Sequence, residues 1–453
     1  TFNIQIKLSK LILIPCFPIV VADHQGTIRY CLSDSHNPKT SLCPQAGAAQ
    51  KVPKMTIRTK IVATIGPASN SREMLEALVT AGMNVARLNF SHGNYESHSE
   101  AIRSIRSISR SLNQPVGILL DLQGPKIRVG KMEHGAPVKL EPDAAFAITS
   151  KAVAGSSQIV STTYPSLPND VQPGDTVLLD DGLIRLQVVS KTADTVNCRV
   201  VNGGLLKEHK GINLPGVKVS APSLTEKDIE DLEFCIREEV DYVALSFVRT
   251  AEDVVDLKNR LAKSELSIRI IAKIEKPEAV DNFDAILAVT DGVMVARGDL
   301  GVEIQPEKVP LIQKSIIRKC NAAGKPVITA TQMLESMVAN PRPTRAETSD
   351  VANAILDGTD AVMLSAETAA GEYPVEAVEL MVRVAGDVEA DPQLKAQGFR
   401  PISEAKGYRE LPEAIGQAAC RTAEAVEASA ILAFTQTGST AALVAKYRPP
   451  MPV

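Results

Sequence analysis

From Lys60 onward, short runs of apolar and β-branched residues recur along the chain: KIVATIG from 60, NVARLNF from 84, VGILLDL from 116, YVALSFV from 242, IRIIAKIE from 268, GVMVARGD from 292, PVITAT from 326 and DAVMLSAE from 360. Each is too short for a helix and too uniformly apolar for a strand with one wet face, which predicts parallel strands covered on both sides. Helical patterns lie between most of them, as in SREMLEALVTAG, HSEAIRSIRSISRSL, TEKDIEDLEFCIREE, AEDVVDLKNRLAK and EKVPLIQKSIIRKCNAAG. The last ends on Gly324 and Pro326, the stop signals expected after a helix. Eight strand-and-helix units predict an α/β fold built as a (β/α)8 barrel.

One interval breaks the rhythm. The third and fourth runs begin at 116 and 242, roughly ninety residues more than the other spacings allow, so a domain is inserted there. Within it, NDVQPGD, LDDG and NGG are turn signals, and TVLLDD, LIRLQVV and TVNCRVV alternate, which predicts a small antiparallel β-barrel standing over the mouth as a lid. The expected division is a catalytic barrel over 55–125 and 219–388, a lid over 126–218, and a partial C-terminal α/β domain over 389–453, with PEAIGQAACRTAEAVEA as helix and AILAFTQT as strand. Residues 1–54 are set apart as an extension preceding Met55. Lys7 and Lys10 before an apolar run from Leu11 to Ala22 give it the outline of a secretory leader, but Pro15 and Pro18 interrupt the run and it is too short to span a bilayer.

Charge narrows the functional class. With 49 basic and 53 acidic residues, a net charge of −4 and 44% hydrophobic residues, the chain is expected to bind neither nucleic acid nor membrane. Its cysteines, Cys16, Cys31, Cys43, Cys198, Cys235, Cys320 and Cys420, form neither a CxxC pair nor a zinc spacing, and read as reduced thiols of a cytoplasmic enzyme.

In such barrels the catalytic groups sit at the carboxyl ends of the strands. Those positions hold Thr64, Arg87, Asn89, Ser91, Asp121, Ser246, Lys273, Glu275, Arg297, Asp299, Thr331, Ser365 and Glu367. Any one could be a structural ion pair; many together, of mixed sign, imply an ionic ligand. Glu275 and Asp299 end adjacent strands, and two hard carboxylates without histidine or thiolate favour Mg²⁺ or Mn²⁺. The alternative is a carboxylate pair neutralised by Lys273 and Arg297. Lys273, two residues before Glu275, falls on the same side of its strand, so ammonium and metal would flank one anionic substrate.

With these residues in place the sequence resembles the pyruvate kinases from about Lys60 to the C-terminal end. The segments that carry the likeness are TIGPAS (64–69), ARLNFSHG (86–93), DLQGPKIR (121–128), KGINLPG (210–216), KIEKPEAV (273–280), MVARGDLGVEI (294–304), ATQMLESM (330–337), NPRPTRAE (340–347) and DVANAILDGTDAVMLSAETAAGEYP (350–374). The resemblance implies phosphoryl transfer from phosphoenolpyruvate to ADP, giving pyruvate and ATP. It implies Glu275 and Asp299 as ligands of Mg²⁺ or Mn²⁺, Lys273 on the phosphoryl group and enolate, and Arg87 on the transferring phosphate. Thr331 and the amides around Gly298 and Asp299 would position the substrate carboxylate, and Ser365 and Glu367 would form a proton relay. Thr64, Pro67, His92, Arg128 and Lys210 fall at nucleotide positions, Lys210 engaging when the lid closes. The family's assembly is a homotetramer.

Two departures matter. Family members that need K⁺ hold it near Asn89, Ser91, Asp121 and the carbonyl of Leu122, and carry glutamate where this chain has Lys126; the ammonium predicts activity independent of K⁺. The C-terminal domain of the family carries an effector loop that TQTGST (435–440) resembles, an equally ordinary turn sequence, and a partial domain leaves that pocket incomplete. Two other readings stay open: a metal-dependent lyase acting on pyruvate enolate, which needs neither an ADP site nor a lid, and an inactive subunit that only binds nucleotide or partners.

Overall fold

A computed structural model describes residues 57–391 and 411–453, together with the backbone strands Leu11–Leu13 and Ile19–Ala22. It divides into two compact units, 58–385 and a second made of 1–57 with 386–453.

In the first unit eight parallel strands close into a barrel. They are β1 (Lys60–Ile65), β2 (Val85–Asn89), β3 (Gly117–Asp121), β4 (Tyr242–Leu245), β5 (Arg269–Ile274), β6 (Gly292–Ala296), β7 (Val327–Ala330) and β8 (Ala361–Leu364). Each falls on a predicted run. β8 pairs back onto β1 through Leu364↔Ala63, and β3 pairs with β4 through Tyr242↔Leu119, so strands far apart in sequence are direct neighbours. Val62, Leu119, Ala244, Ile271, Met294, Ile328 and Met363 fill the interior. Their sequence neighbours, such as Ile61, Ala63, Leu120 and Val243, are buried outside it under the helix layer. With both faces covered, the runs have no reason to alternate.

The helices start where small polar side chains can satisfy free N–H groups. Ser71 accepts from Met74, and Asn94, Thr225 and Thr344 each make a reciprocal capping box. Helix Val309–Ala323 ends on Gly324 with φ +67°, as the sequence predicts.

Between β3 and β4 a six-stranded sheet runs in the spatial order Ile212–Asn213, Thr176–Leu179, Ile184–Lys191, Thr195–Asn202, Ala145–Thr149 and Ile159–Ser161. It has its own core, including Phe146, Ile148, Val177, Leu186 and Val196. The expected antiparallel pattern needs one correction: Ala145–Thr149 and Ile159–Ser161 pair in parallel. The two edges are joined by a segment without strand periodicity. Arg128 bridges to Gly211 and Val129 to Thr162, with Val129 N–H on Lys210 O and Gly130 N–H on Ser161 O. That seam curls the sheet round on itself and removes its open edges.

In the second unit, strand Ala430–Ala433 pairs antiparallel with Ile19–Ala22, which pairs with Leu11–Leu13. The apolar run read as leader-like thus contributes two short strands to the same sheet as the C-terminal strand. Helices Leu411–Ala425 and Ser439–Lys446 cover that strand around Cys420, Ile431 and Val444. The TQTGST turn closes on itself, Gly438 N–H donating to Thr435 Oγ1 at 3.0 Å. Cys16, Cys31 and Cys43 lie outside the described residues.

A Cβ on Gly203 would stand 2.2 Å from the Leu140 carbonyl oxygen, a backbone atom that cannot rotate away. Gly203→Ala should therefore cost about 1–3 kcal/mol of stability by overpacking. A urea titration followed by circular dichroism checks this, and a midpoint equal to the parent's would contradict the contact.

Candidate active site

The polar strand ends converge on one buried cluster. Arg87, on β2, donates from Nε to Asp121 Oδ2 at 2.7 Å and from Nη1 to Thr64 Oγ1 at 2.9 Å. Thr64 in turn donates to the Leu364 carbonyl at 2.8 Å, linking β1 to β8. Lys273 Nζ lies 3.1 Å from Asp121 Oδ1, 2.9 Å from Glu275 Oε1 and 2.7 Å from Ser246 Oγ. Glu275 Oε2 accepts from Phe247 N–H at 2.8 Å. Asp121 and Glu275 are each 1% exposed and Lys273 is 9% exposed, so the charges answer one another and not bulk water.

The electrostatics follow from that packing. Burial works against the Lys273 charge, but Asp121 and Glu275 outweigh it and hold its pKa above the ordinary lysine value. Burial likewise works against the Asp121 carboxylate, but Lys273 and Arg87 overcome it and bring the pKa below the usual aspartate value. Glu275 moves the other way: burial raises it, Lys273 pulls it back, and the nearby Asp299 carboxylate pushes it up again. The mouth therefore holds a carboxylate pair that one ammonium does not neutralise. Arg297, the other expected neutraliser, is committed elsewhere, to Asp350 at 2.7 Å and to the carbonyls of Ala330 and Thr331. This hard-oxygen pair suits a divalent cation completed by water and substrate.

Asp299 and Gly298 sit in the short helix Arg297–Glu303 directly after β6. The Gly298 amide donates to Thr331 Oγ1 at 2.7 Å, so the expected carboxylate nest is closed by the threonine hydroxyl in this state. Thr331 itself has φ +67°, a conformation held by Arg297 on its carbonyl. Glu367 is fully buried and accepts from two backbone amides, Ser365 N–H at 2.6 Å and Leu334 N–H at 3.1 Å. The Ser365 hydroxyl is buried without a partner, the one such side-chain atom among the described residues. The pair meets through backbone, not through the hydroxyl.

The groups expected around a monovalent cation already have protein partners. Asn89 Oδ1 accepts from Ser91 N–H at 3.1 Å, Leu122 O from Ser246 Oγ at 2.7 Å, and both Asp121 oxygens from cations. Lys126 is exposed at the entrance of the cleft between lid and barrel, which Ile127, Asp181, Asn213, Phe247, Arg249, Lys276 and Asp299 also line. His92 has its pKa lowered by burial first and then by the Arg128, Lys126 and Arg87 charges, so these cations face one region. Arg128 is held by the His209 carbonyl at 2.9 Å, and Lys210 pairs with Asp180 at 2.7 Å; Pro67 is exposed beyond β1.

Sequence reading missed Lys276, Asn213, Phe247 and Glu303, although all four lie inside quoted segments. Lys276 Nζ meets Glu303 Oε1 at 2.6 Å, and Asn213 Nδ2 donates to the same oxygen at 2.9 Å. Lys276 directly follows Glu275, and that adjacency was the available signal.

Known proteins resemble this chain in sequence and in fold. The profile of the pyruvate kinase barrel domain matches residues 56–378, and that of the pyruvate kinase alpha/beta domain matches 413–453. The pyruvate kinase of Sporosarcina psychrophila is 54% identical over 402 residues, covering 87% of this chain and 68% of its own length. That of Geobacillus stearothermophilus is 52% identical, covering 88% and 68%. The crystal structure of a pyruvate kinase from Cryptosporidium parvum superposes with a TM-score of 0.83 at 45% identity, over 87% of this chain and 82% of that one. Matched along both its barrel and its C-terminal segment, this chain belongs to the pyruvate kinase family.

Proposed function

We propose that this chain transfers the phosphoryl group of phosphoenolpyruvate to ADP, with Glu275 and Asp299 holding Mg²⁺ or Mn²⁺ and Lys273 stabilising the enolate. One observation carries the reading: a buried ammonium, Lys273, lies beside an under-neutralised carboxylate pair, with the Arg87 guanidinium in the same cluster. Phosphoryl transfer asks mainly for positioning and charge neutralisation, and these groups supply both. When bound, the divalent ion adds positive charge against the phosphoryl and enolate oxygens.

The chain's own residues do the rest. Arg87 and Lys273 face the transferring group from β2 and β5, and Asp121 fixes both cations so that neither must reorganise. Thr331 would exchange its Gly298 partner for the substrate carboxylate. Arg128 and Lys210, from the lid, and Thr64, Pro67 and His92, from the barrel, would surround the nucleotide; His92 stays neutral at pH 7 because burial and three cations resist its protonation. After transfer, the enolate carbon takes a proton on a path near Ser365, whose hydroxyl has no protein partner, with Glu367 holding that turn in place. Lys126 supports K⁺ independence, since its ammonium supplies a monovalent positive charge at the entrance. The lyase reading explains neither the lid cations nor the His92 environment. A family-type homotetramer and a cytoplasmic location complete the proposal; the four described cysteines, all free and buried, agree with a reducing compartment. No helix among the described residues is long and apolar enough to cross a membrane.

A lactate dehydrogenase-coupled assay with phosphoenolpyruvate, ADP and Mg²⁺ tests the reaction. Pyruvate must appear only when ADP is present, and Lys273→Met should lower kcat ~10²–10³-fold, the loss expected for a principal electrostatic group. ADP-independent pyruvate would favour the lyase.

Thermal unfolding tests the metal site. Mn²⁺ at ~100 times its Kd should stabilise the parent by about 2.7 kcal/mol, and Asp299→Asn should remove most of that gain while melting no lower than the parent without metal. An undiminished Mn²⁺ response in the variant would place the ion elsewhere.

Replacing KCl with tetramethylammonium chloride should leave the rate within about twofold, because Lys126 supplies the charge locally. Loss of most activity, restored by K⁺, would count against that role.

A further inference from the structure

Both carboxylates of the proposed metal pair are tied to the chain segments that carry the lid, through residues with no part in the reaction above. On the entry side, a Cβ on Gly124 would stand 2.8 Å from Phe247 Cδ2, so the glycine backbone rests on that ring. The Phe247 amide is the one that holds Glu275 Oε2. On the exit side, Asn213 Nδ2 donates to Glu303 Oε1, the oxygen that also receives Lys276 Nζ. Glu303 closes the short helix that contains Asp299, and Lys276 is the residue after Glu275. Lys276 Nζ also lies 5.8 Å from the Phe247 ring centroid, so one ammonium touches both ties.

The Glu303 side chain is 2% exposed and that of Lys276 13%. A carboxylate so buried is costly to leave unpaired, and the lid exit cannot swing away without stripping one of its two donors. We propose that Glu303, Lys276 and Asn213 form a positioning latch that couples the orientation of the lid to the strand ends bearing Glu275 and Asp299. Asn213 is its releasable member: it is neutral and half-buried, and it stands three residues after Lys210. The inference rests on the functional reading above for what the latch serves, but its geometry is independent of that reading.

Hydrogen–deuterium exchange of the full chain tests it, comparing the parent with Asn213→Ala and Asn213→Asp at matched thermal stability. Peptides covering 122–130 and 211–219 should exchange several-fold faster in both variants, while those of β1, β2 and β3 keep the parent rate. In kinetics, losing one hydrogen bond of about 1 kcal/mol should raise KM for ADP ~5-fold in Asn213→Ala, with KM for phosphoenolpyruvate within ~2-fold. Asn213→Asp, which sets a second carboxylate against Glu303, should do more. Parent-like exchange at the two hinge segments overturns the latch, and so does acceleration spread evenly over the barrel, which would make Asn213 a general structural contact. If the parent shows no ADP-dependent transfer, the functional reading falls while the exchange contrast still decides the latch.

Discussion

Everything at the barrel mouth depends on one constraint: Arg87, Asp121, Lys273 and Glu275 are buried together, and none is tolerable there alone. Two cations and two anions balance, and the ion pairs between them lie at 2.7, 2.9 and 3.1 Å. Stripped of its partners, any member would face a penalty of several kcal/mol in such surroundings. The cluster therefore forms only when β2, β3 and β5 are in register, and closure of the barrel is what holds them so. Asp299 then adds an anion that the quartet cannot absorb, and the upward push on Glu275 is the trace of that imbalance. A site poised in this way is anionic at one point and cationic beside it, a polarity that suits a phosphorylated acid arriving with a divalent ion.

How much of this was legible in the chain differs between levels. The eight strands could be read because both faces of each are covered, which turns burial into uninterrupted apolar runs; the helical patterns begun at Ser71 and Thr225 start on side chains that cap locally, whereas the second helix begins at Tyr95, three residues before the pattern read from His98, and the helix capped by Thr344 was not read. The lid's strands showed in their alternation, but its seam did not, since single-residue bridges at Arg128 and Val129 leave no period in the sequence. The run from Leu11 to Ala22 was ambiguous for a related reason. A short stretch of Leu, Ile and Val serves equally as leader-like sequence or as strand, and only its partner at Ala430–Ala433 distinguishes them.

Within the site, residue types were legible and their partners were not. Strand-end position identified Lys273, Glu275 and Asp299, but nothing local said that Thr331 would cap the Gly298 amide or that Glu367 would spend both oxygens on backbone N–H groups. The bonds from Gly298 to Thr331 and from Leu334 to Glu367 cross between neighbouring strand ends, so they exist only in three dimensions. The same holds for Glu303, an unremarkable glutamate until Lys276 and Asn213 reach it from two other segments.

The seam of the lid has a further consequence, for the order in which the molecule can assemble. β3 and β4 are neighbours in the barrel, yet roughly 120 residues of chain separate them, and closing so long a loop is entropically unfavourable. Ile212 N–H meets Ile127 O at 2.9 Å, so once the insert has folded, its two ends lie side by side. The effective loop then shrinks to roughly 36 residues, about six from Asp121 to Ile127 and thirty from Ile212 to Tyr242, which lowers the closure cost by about 1 kcal/mol. A nascent chain that completes the insert first can thread the remaining five strands onto the first three as though nothing stood between them.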